Sequence, residues 1–402
     1  MIYGLFLLKR FIEDLFIRPF ILLGRRKARK LPLLKNYDFY FFFPFFHTGG
    51  AEKVHAQIAM AFRGKKALII FTRRSHDEGF RALFSASGHD VIDISAYTDK
   101  KSAYWNNLIW RGVVSGHINS QPTKPVVFNG QCNFAYKCAP WIDKEVCQYE
   151  LIHSFNSFSR IRIPFITCYK LTVMISRKAM DDHREQYSRL GIPNDMHARM
   201  RYIRNGIPIP TDALPRHTSS RKLNILYAGR GTREKRVHIV ARIAEQCRAE
   251  KLPVDFTFMG DVSEGLREYP ALQARMLGNI TDPQGIARIY DETDVLILTS
   301  SEEGFPMVVM EAMARGCIII ATPVGDLPAH IRQGEEGFLL NSVQHEDTIV
   351  IEAVIMIRKL LGNPLLCHHI SLHNISYAQD HFSLRTFEES YRKLLTPETN
   401  AQ

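Results

Sequence analysis

Residues 300–316 read SSEEGFPMVVMEAMARG and share Ser300 with the preceding DVLILTS, which begins at Asp294. The upstream run is a near-continuous apolar strand, Pro306 suits a first helical position, and Gly316 suits a helix end. The segment is therefore a junction from a buried strand into a helix, the unit from which parallel sheets are wound. The first N–H groups of such a helix have no intrahelical partner and lie at the positive end of its dipole, so the main chain at Met307 and Val308 suits phosphate oxygens. Glu303 precedes the helix, and Glu311 lies five residues beyond Pro306, roughly 7.5 Å along the axis, which is comparable to a diphosphate. An ionised carboxylate accepts from two neighbouring hydroxyls, so these glutamates are suited to grip the hydroxylated ends of a phosphorylated ligand.

Outward from this junction the pattern repeats. In the second half, strands are expected near residues 223–228, 254–259, 295–299, 317–321 and 338–340, with helices between them and a mainly helical region beyond Asp347. In the first half the candidates are YDFYFFFPFF from Tyr37, KALIIFT from Lys66, DVIDI from Asp90, PVVFN from Pro125, VCQYELIH from Val146 and LTVMIS from Leu171. Strands alternating with helices predict parallel sheets covered on both faces. Residues 203–221, IRNGIPIPTDALPRHTSSR, hold three prolines and a polar tail and read as a connection. The 402 residues suffice for two cores. The division expected is an amphipathic basic extension over 1–36, a first domain over 37–203, a linker over 204–221, a second domain over 222–383, and a C-terminal helix and tail over 384–402 that crosses back to the first domain.

The paired glutamates, together with NILYAGRGTREKRV from Asn224, FTFMGD from Phe256 and LGNITDPQGIARIYDETDVLILTSSEEGFP from Leu277, resemble the retaining glycosyltransferases of the GT-B fold, glycosyltransferase family 4 in particular. In the first half the resemblance rests on HTGGAEK from His47, LIHSF from Leu151, LTVMIS from Leu171 and RYIRNGIPI from Arg201. It implies an α/β GT-B architecture, two Rossmann-like domains whose parallel sheets face a central cleft. It further implies transfer of a sugar from a nucleotide diphosphate sugar to a glycan or lipid-linked acceptor, in cell-surface polysaccharide or lipopolysaccharide biosynthesis. Glu303 would then hold the sugar and Glu311 the ribose, with Gly304, Phe305, Pro306, Met307 and Val308 forming the donor loop.

Ligands of open parallel sheets bind beyond the carboxyl ends of the strands, where all the site candidates fall. Arg230 follows the strand at 223–228, and Lys235 lies five residues further on. A planar guanidinium and a mobile ammonium there suit a departing diphosphate, although Arg233 and Arg236 beside them also fit a solvated basic turn. Gly49 and Gly50 permit close approach of backbone to ligand, with His47 and Glu52 nearby. His153 closes an apolar strand, where a buried core histidine is the ordinary expectation; the resemblance implies instead that it contacts the donor sugar. The residues nominate no nucleophile on the sugar's lower face, and the resemblance implies a same-face substitution with neither metal nor cofactor. One departure concerns the stretch CIIIATPVGDLPAHI, which carries Gly325, Asp326 and Ala329 where similar proteins have a glycine pair followed by a glutamate; Asp326 is the candidate substitute.

The formal charge of +11 is concentrated at the start of the chain: residues 1–36 hold nine basic and two acidic side chains, a net +7. Within MIYGLFLLKRFIEDLFIRPFILL, charges at 9, 10, 13, 14 and 18 line one helical face and Leu8, Phe11, Ile12, Leu15 and Phe16 the other. Charges interrupt the run too often for a spanning helix. An interfacial helix followed by the basic run RRKARK suits an anionic membrane through residues 1–30, placing the protein in the cytoplasm and peripherally on the cytoplasmic membrane face. The competing use of the apolar face is packing on the first domain. The first strand begins only near Tyr37, so the segment is expected to be separable. Interleaved Leu, Ile and Phe, and the lack of a recognised module, argue against nucleic acid. Seven cysteines without C-x-x-C spacing read as reduced thiols, and Cys367-His368-His369 is the one local metal candidate, for which a structural role is the expectation. The competing functions are a GT-B-type nucleotide-sugar epimerase and a catalytically silent nucleotide-sugar-binding subunit.

Overall fold

The computed structural model describes residues 2–30, 35–100, 102, 104–156, 158–215 and 222–396. The chain divides into two compact units, residues 1–204 with 388–402, and residues 205–387. The Leu384–Leu395 helix thus starts in the second unit and ends in the first, where Arg392 donates to the Ala61 carbonyl at 2.7 Å and Tyr391 is fully buried. Residues 216–221 of the expected linker and 397–402 of the expected tail lie outside the described residues.

The first unit holds a seven-stranded sheet built from β1 (Phe39–Phe43), β2 (Ala67–Phe71), β3 (Asp90–Asp93), β4 (Val126–Asn129), β5 (Cys147–Ile152), β6 (Leu171–Met174) and β7 (Met200–Tyr202), in the order β3-β2-β1-β4-β5-β6-β7. The second holds six strands, β8 (Leu223–Ala228), β9 (Val254–Met259), β10 (Arg275–Gly278), β11 (Val295–Leu298), β12 (Ile318–Ala321) and β13 (Gly337–Leu339), in the order β10-β9-β8-β11-β12-β13. Every pairing in both sheets is parallel. Parallel sheets need cover on both faces, which is why β1, β2, β11 and β12 are apolar throughout and buried at every residue. All expected strands form. β7 and β10 are additional, and both are short edge strands, β10 largely exposed, so neither carries the apolar run that marks the central strands.

The N-terminal helix, Ile2–Ala28, is built into the first unit and is not a detachable extension. It buries Tyr3, Ile21, Gly24 and Ala28 and packs on the Tyr104–Asn119 helix. The two backbones touch through glycine: a Cβ on Gly24 would lie 2.0 Å from the Ile109 carbonyl oxygen, and one on Gly112 2.2 Å from that of Ile21. Arg10 donates to the Pro164 carbonyl and pairs with Asp14, while Arg25 donates to the Trp141 carbonyl. The inward face is thus the one bearing Arg10 and Asp14. The apolar face points outward, with Leu8, Phe11, Ile12, Leu15 and Phe16 between 46% and 74% exposed. Packing of that stripe on the first domain, the competing reading, is therefore not what the helix does. Among the described residues no helix is long and apolar enough to cross a membrane, and all seven cysteines are free thiols.

Candidate active site

In each sheet the strand order reverses beside the first strand of the unit, between β1 and β4 and between β8 and β11. Loops leaving neighbouring strands on opposite sides of such a point diverge and open a crevice at the carboxyl ends. In the second unit those loops are residues 229–236, after β8, and residues 299–306, after β11; they carry Arg230, Lys235 and Glu303.

These loops are fastened to each other. The Lys235 ammonium donates to Glu303 Oε1 at 2.6 Å, and the Ser300 hydroxyl donates to the same oxygen at 2.7 Å. Among the described residues Glu303 Oε2 carries no hydrogen bond, which leaves it to accept from a ligand. Glu303 is only 9% exposed at its side chain and Lys235 22%, so this is a partly desolvated pair and not a solvated surface contact. Ser301 N–H donates to the Glu234 carbonyl at 2.8 Å, and Arg236 donates to the Thr299 and Ser300 carbonyls. Arg236 is therefore occupied with the loop itself. Arg230 is different: its side chain is 57% exposed and, among the described residues, pairs only with Glu234, loosely, at 4.0 Å. Its backbone is held, since the Tyr227 hydroxyl donates to the Arg230 carbonyl at 2.7 Å.

The Met307–Ala314 helix starts one residue later than expected, with Pro306 in extended conformation at the N-cap (φ −66°, ψ 129°). Pro306 still stops the strand-side backbone and pre-sets φ. The N–H groups of Met307 and Val308 remain among the first of the helix, which have no intrahelical acceptor. Phe305, Pro306 and Met307 are buried, and Phe305 packs on His330 with ring centroids 4.3 Å apart and planes tilted by 31°. Gly304 packs against the loop after β12: Asp326 N–H donates to the Gly304 carbonyl at 2.8 Å, and Gly325 (φ +59°) would place a Cβ 2.2 Å from that carbonyl oxygen. The segment carrying Gly325 and Asp326 thus packs against Gly304 through its backbone. Glu311, further along the helix, accepts from the Tyr290 hydroxyl at 3.0 Å. Burial, and then the Glu311 carboxylate, push the Tyr290 phenol well above its ordinary pKa, so it stays protonated and remains a donor.

In the first unit, Gly49 and Gly50 lie where β1 gives way to the Gly50–Ala61 helix. A Cβ on Gly49 would lie 2.2 Å from the Glu52 carboxylate, which is buried and sits 3.6 Å from His47 Nε2. His153 follows β5, half-buried, with Nε2 2.9 Å from Nε2 of His55. Burial lowers its pKa to about 4. His153 is thus neither an isolated core histidine nor an exposed one.

Sequence reasoning nominated Lys235 and Glu303 and named Gly325 in the loop after β12, but missed Ser300, Tyr290 and His55, which contact the candidate residues. Ser300 and Tyr290 lie in stretches already quoted, whereas His55 lies on the Gly50–Ala61 helix just beyond HTGGAEK, with no motif of its own. The metal candidate is also placed differently. Among the described residues the group with ligand-like geometry is Glu335, Glu336 and His373, not Cys367-His368-His369. Arg332 already lies 2.7 Å from Glu335 and 2.6 Å from Glu336, a cation where a metal would sit, and the Cys367 thiol is buried and directed to the Leu360 carbonyl.

Two parallel-sheet units, each with its candidate residues at the carboxyl ends of its strands, define the GT-B class. Residues 222–357 match the model of the family described as Glycosyl transferases group 1. Among solved structures the chain is similar to HepE of Anabaena in complex with UDP and glucose, with a TM-score of 0.70 at 16% identity over 89% of this chain and 99% of that one. It is also similar to sucrose-phosphate synthase of Thermosynechococcus elongatus, with a TM-score of 0.67 at 14% identity over 89% and 97%. At these identities the likeness is one of fold. Among curated proteins, the D-inositol 3-phosphate glycosyltransferase of Corynebacterium aurimucosum is 37% identical over 65 residues, 16% of this chain and 15% of that protein. The corresponding protein of Pseudarthrobacter chlorophenolicus is 30% identical over 130 residues, 29% of this chain and 30% of that protein. These alignments span less than a third of either relative.

Proposed function

We propose that the chain is a retaining glycosyltransferase that moves a sugar from a nucleotide diphosphate sugar to a glycan or lipid-linked acceptor. The observation that carries this reading is the Lys235–Glu303 contact at the switch point of the second sheet, beside the start of the Met307–Ala314 helix. Arg230, Lys235 and the amides of Met307 and Val308 hold the diphosphate; Glu311, oriented by Tyr290, accepts from the ribose; Glu303 Oε2 accepts from the sugar. His153 is assigned to the sugar as well. UDP-sugars are the first donors to test, because HepE is similar in fold and was solved with UDP and glucose.

In the step proposed, the bond from the anomeric carbon to the phosphate oxygen breaks and the bond to the acceptor oxygen forms on the same face. The acceptor's hydroxyl proton passes to the departing phosphate oxygen. Arg230, Lys235 and the helix amides stabilise the charge that builds on that phosphate, so this reading assigns no step to a metal or a cofactor. The test is acceptor-dependent transfer: with a radiolabelled UDP-sugar panel, label moves to a glycan or lipid acceptor with the anomeric configuration kept. Interconversion of donors without an acceptor marks an epimerase, and binding without turnover marks a silent subunit.

The same reading takes the acceptor to lie at a membrane, and the N-terminal helix supports it. The outward stripe of the N-terminal helix is apolar from Leu5 to Leu23, and Arg26, Lys27, Arg29 and Lys30 beyond it are exposed. That is the order of groups suited to an anionic interface. The patch continues onto the Tyr104–Asn119 helix, where Trp105, 59% exposed, packs 4.9 Å from Phe20. This reading puts the enzyme peripherally on the cytoplasmic membrane face, in cell-surface polysaccharide or lipopolysaccharide biosynthesis.

A further inference from the structure

We propose that His55 is a positioning residue that donates its Nε2–H to Nε2 of His153, so that His153 carries its proton on Nδ1 and presents that N–H to a hydroxyl of the donor sugar. The inference rests on the proposed glycosyl transfer for the identity of the sugar, and on geometry alone for the pairing.

The two Nε2 atoms are 2.9 Å apart, so one hydrogen lies between them and one nitrogen accepts it. Which of them donates follows from the other end of the His55 ring. His55 is fully buried, and among the described residues its Nδ1 has no hydrogen-bond partner. A proton on Nδ1 would leave an orphaned N–H in the interior, which folded proteins rarely tolerate, whereas a proton on Nε2 leaves only a bare lone pair there. His55 is therefore the donor, and His153 must accept at Nε2 and carry its proton on Nδ1. Burial, and then the neighbouring His153, hold His55 well below the ordinary histidine pKa, and burial alone lowers His153 to about 4. Both rings are then neutral at pH 7, as one shared hydrogen requires.

The surroundings fix both rings. Phe43, the last residue of β1, stacks on His55 with centroids 4.5 Å apart and planes 16° apart. Gly130, just past β4, lies against the pair: a Cβ there would sit 2.7 Å from His55 Nε2 and 2.6 Å from the Phe43 ring. Any other residue at 130 crowds the hydrogen bond. Gln131 adopts a positive φ of 59° and its side-chain carbonyl accepts from His153 N–H at 3.1 Å. The main chain of His153 is thus held from the loop after β4 and its ring from the Gly50–Ala61 helix. An apolar side chain stacked on Phe43 would fill the position of His55 without an unpaired buried nitrogen. What the imidazole adds is a directed donor aimed at His153.

Histidine 15N spectra of the full chain, selectively labelled, read the tautomers directly; donor KM and kcat read the consequence. In the wild type His153 is expected protonated at Nδ1 only. His55→Phe keeps the aromatic packing but removes the donor, so His153 is expected to populate the Nε2–H form and donor KM to rise about tenfold with kcat changed less than threefold. His55→Gln restores a side-chain N–H and should bring KM back to within about threefold of wild type. Protonation of wild-type His153 at Nε2 overturns the pairing, whether or not the variants fold. An unchanged KM in a folded His55→Phe overturns its positioning role. The expected tautomer in a protein that binds no nucleotide sugar overturns the sugar contact and the glycosyl-transfer reading, while the pairing stands.

Discussion

Lys235 and Glu303 are 68 residues apart in the chain and meet at 2.6 Å, one on the loop after β8 and the other on the loop after β11. The contact ties together the two loops that diverge at the switch point of the second sheet, and it places a cation and a carboxylate side by side. A ligand with both a phosphate and hydroxyls uses both charges, the phosphate drawing on the ammonium and a hydroxyl on the free carboxylate oxygen.

Lys235→Ala and Glu311→Ala are each expected to lower transfer by about a hundredfold, the scale for removing one charge-assisted hydrogen bond from a transition state. Neither side chain is part of the apolar core, so melting temperatures should stay within a few degrees of wild type. Near-normal turnover in both variants contradicts the site assignment.

Gly325→Ala tests the backing of the donor loop. The added Cβ meets the Gly304 carbonyl oxygen at 2.2 Å, at a φ of +59° that side chains rarely adopt. Loss of stability is expected together with weaker nucleotide-sugar binding in calorimetry. A variant that binds as wild type shows that this loop does not set the geometry at Gly304.

Excess chelator is expected to leave the rate within about twofold, because the proposed site assigns the positive charge facing the phosphates to Arg230, Lys235 and the helix amides. A tenfold loss restored by a divalent ion contradicts that assignment.

Acid should destabilise the first unit. Burial, and then the Arg162 guanidinium, lower His183 to about 4, and burial lowers His153 to about 4, against roughly 6.5 for a free histidine. The unfolded chain then binds more protons than the folded one between these values. The stability is complete above about pH 6.5 and is lost as pH falls towards 4, by about 2 kcal/mol for each group at pH 5. Melting temperature is expected to be level from pH 8 to 7 and to fall below 6.5, with a shallower fall in His183→Leu. An equal slope in that variant contradicts the prediction.

Phe11→Asp with Phe16→Asp places two charges in the outward stripe, at side chains 67% and 74% exposed, and should leave melting unchanged. Binding to anionic vesicles should drop at least tenfold, given about 1.5–3 kcal/mol for burying each Phe. Wild-type binding should weaken with salt as the Debye length shrinks below about 10 Å. A change in oligomeric state with no change in vesicle binding assigns the stripe to a second copy. Deleting residues 1–30 is a poorer test, because it also removes the helix seated on Gly112 and is expected to destabilise the unit.

The central strands were legible because strands buried on both faces must be apolar throughout, as LIIF at 68–71 and VLIL at 295–298 are. β7 and β10 were not, since short edge strands carry no such run. The candidate residues of the second unit were legible as positions, since Arg230, Lys235 and Glu303 lie in loops between a strand and a helix, where they have no role in the core. What holds them was not: Tyr290 and His55 reach the site through their polar tips while their rings are buried, and sequence reports the burial but not where a tip points. The N-terminal helix shows the same limit. The spacing of its charges is plain in the sequence, but only the structure shows that Arg10 and Asp14 turn inward with Tyr3, Ile21 and Gly24 while Lys9 and Glu13 stay exposed.

Whether Lys235, Glu303 and the start of the Met307–Ala314 helix form a nucleotide diphosphate sugar site is read by calorimetric titration of UDP-sugars into the full chain, beside the Lys235→Ala and Glu303→Gln variants. Saturable binding of at least one nucleotide sugar is expected, weakened about tenfold or more in each variant. Absence of binding across a full panel of nucleotide sugars, or binding equal in wild type and both variants, would contradict it.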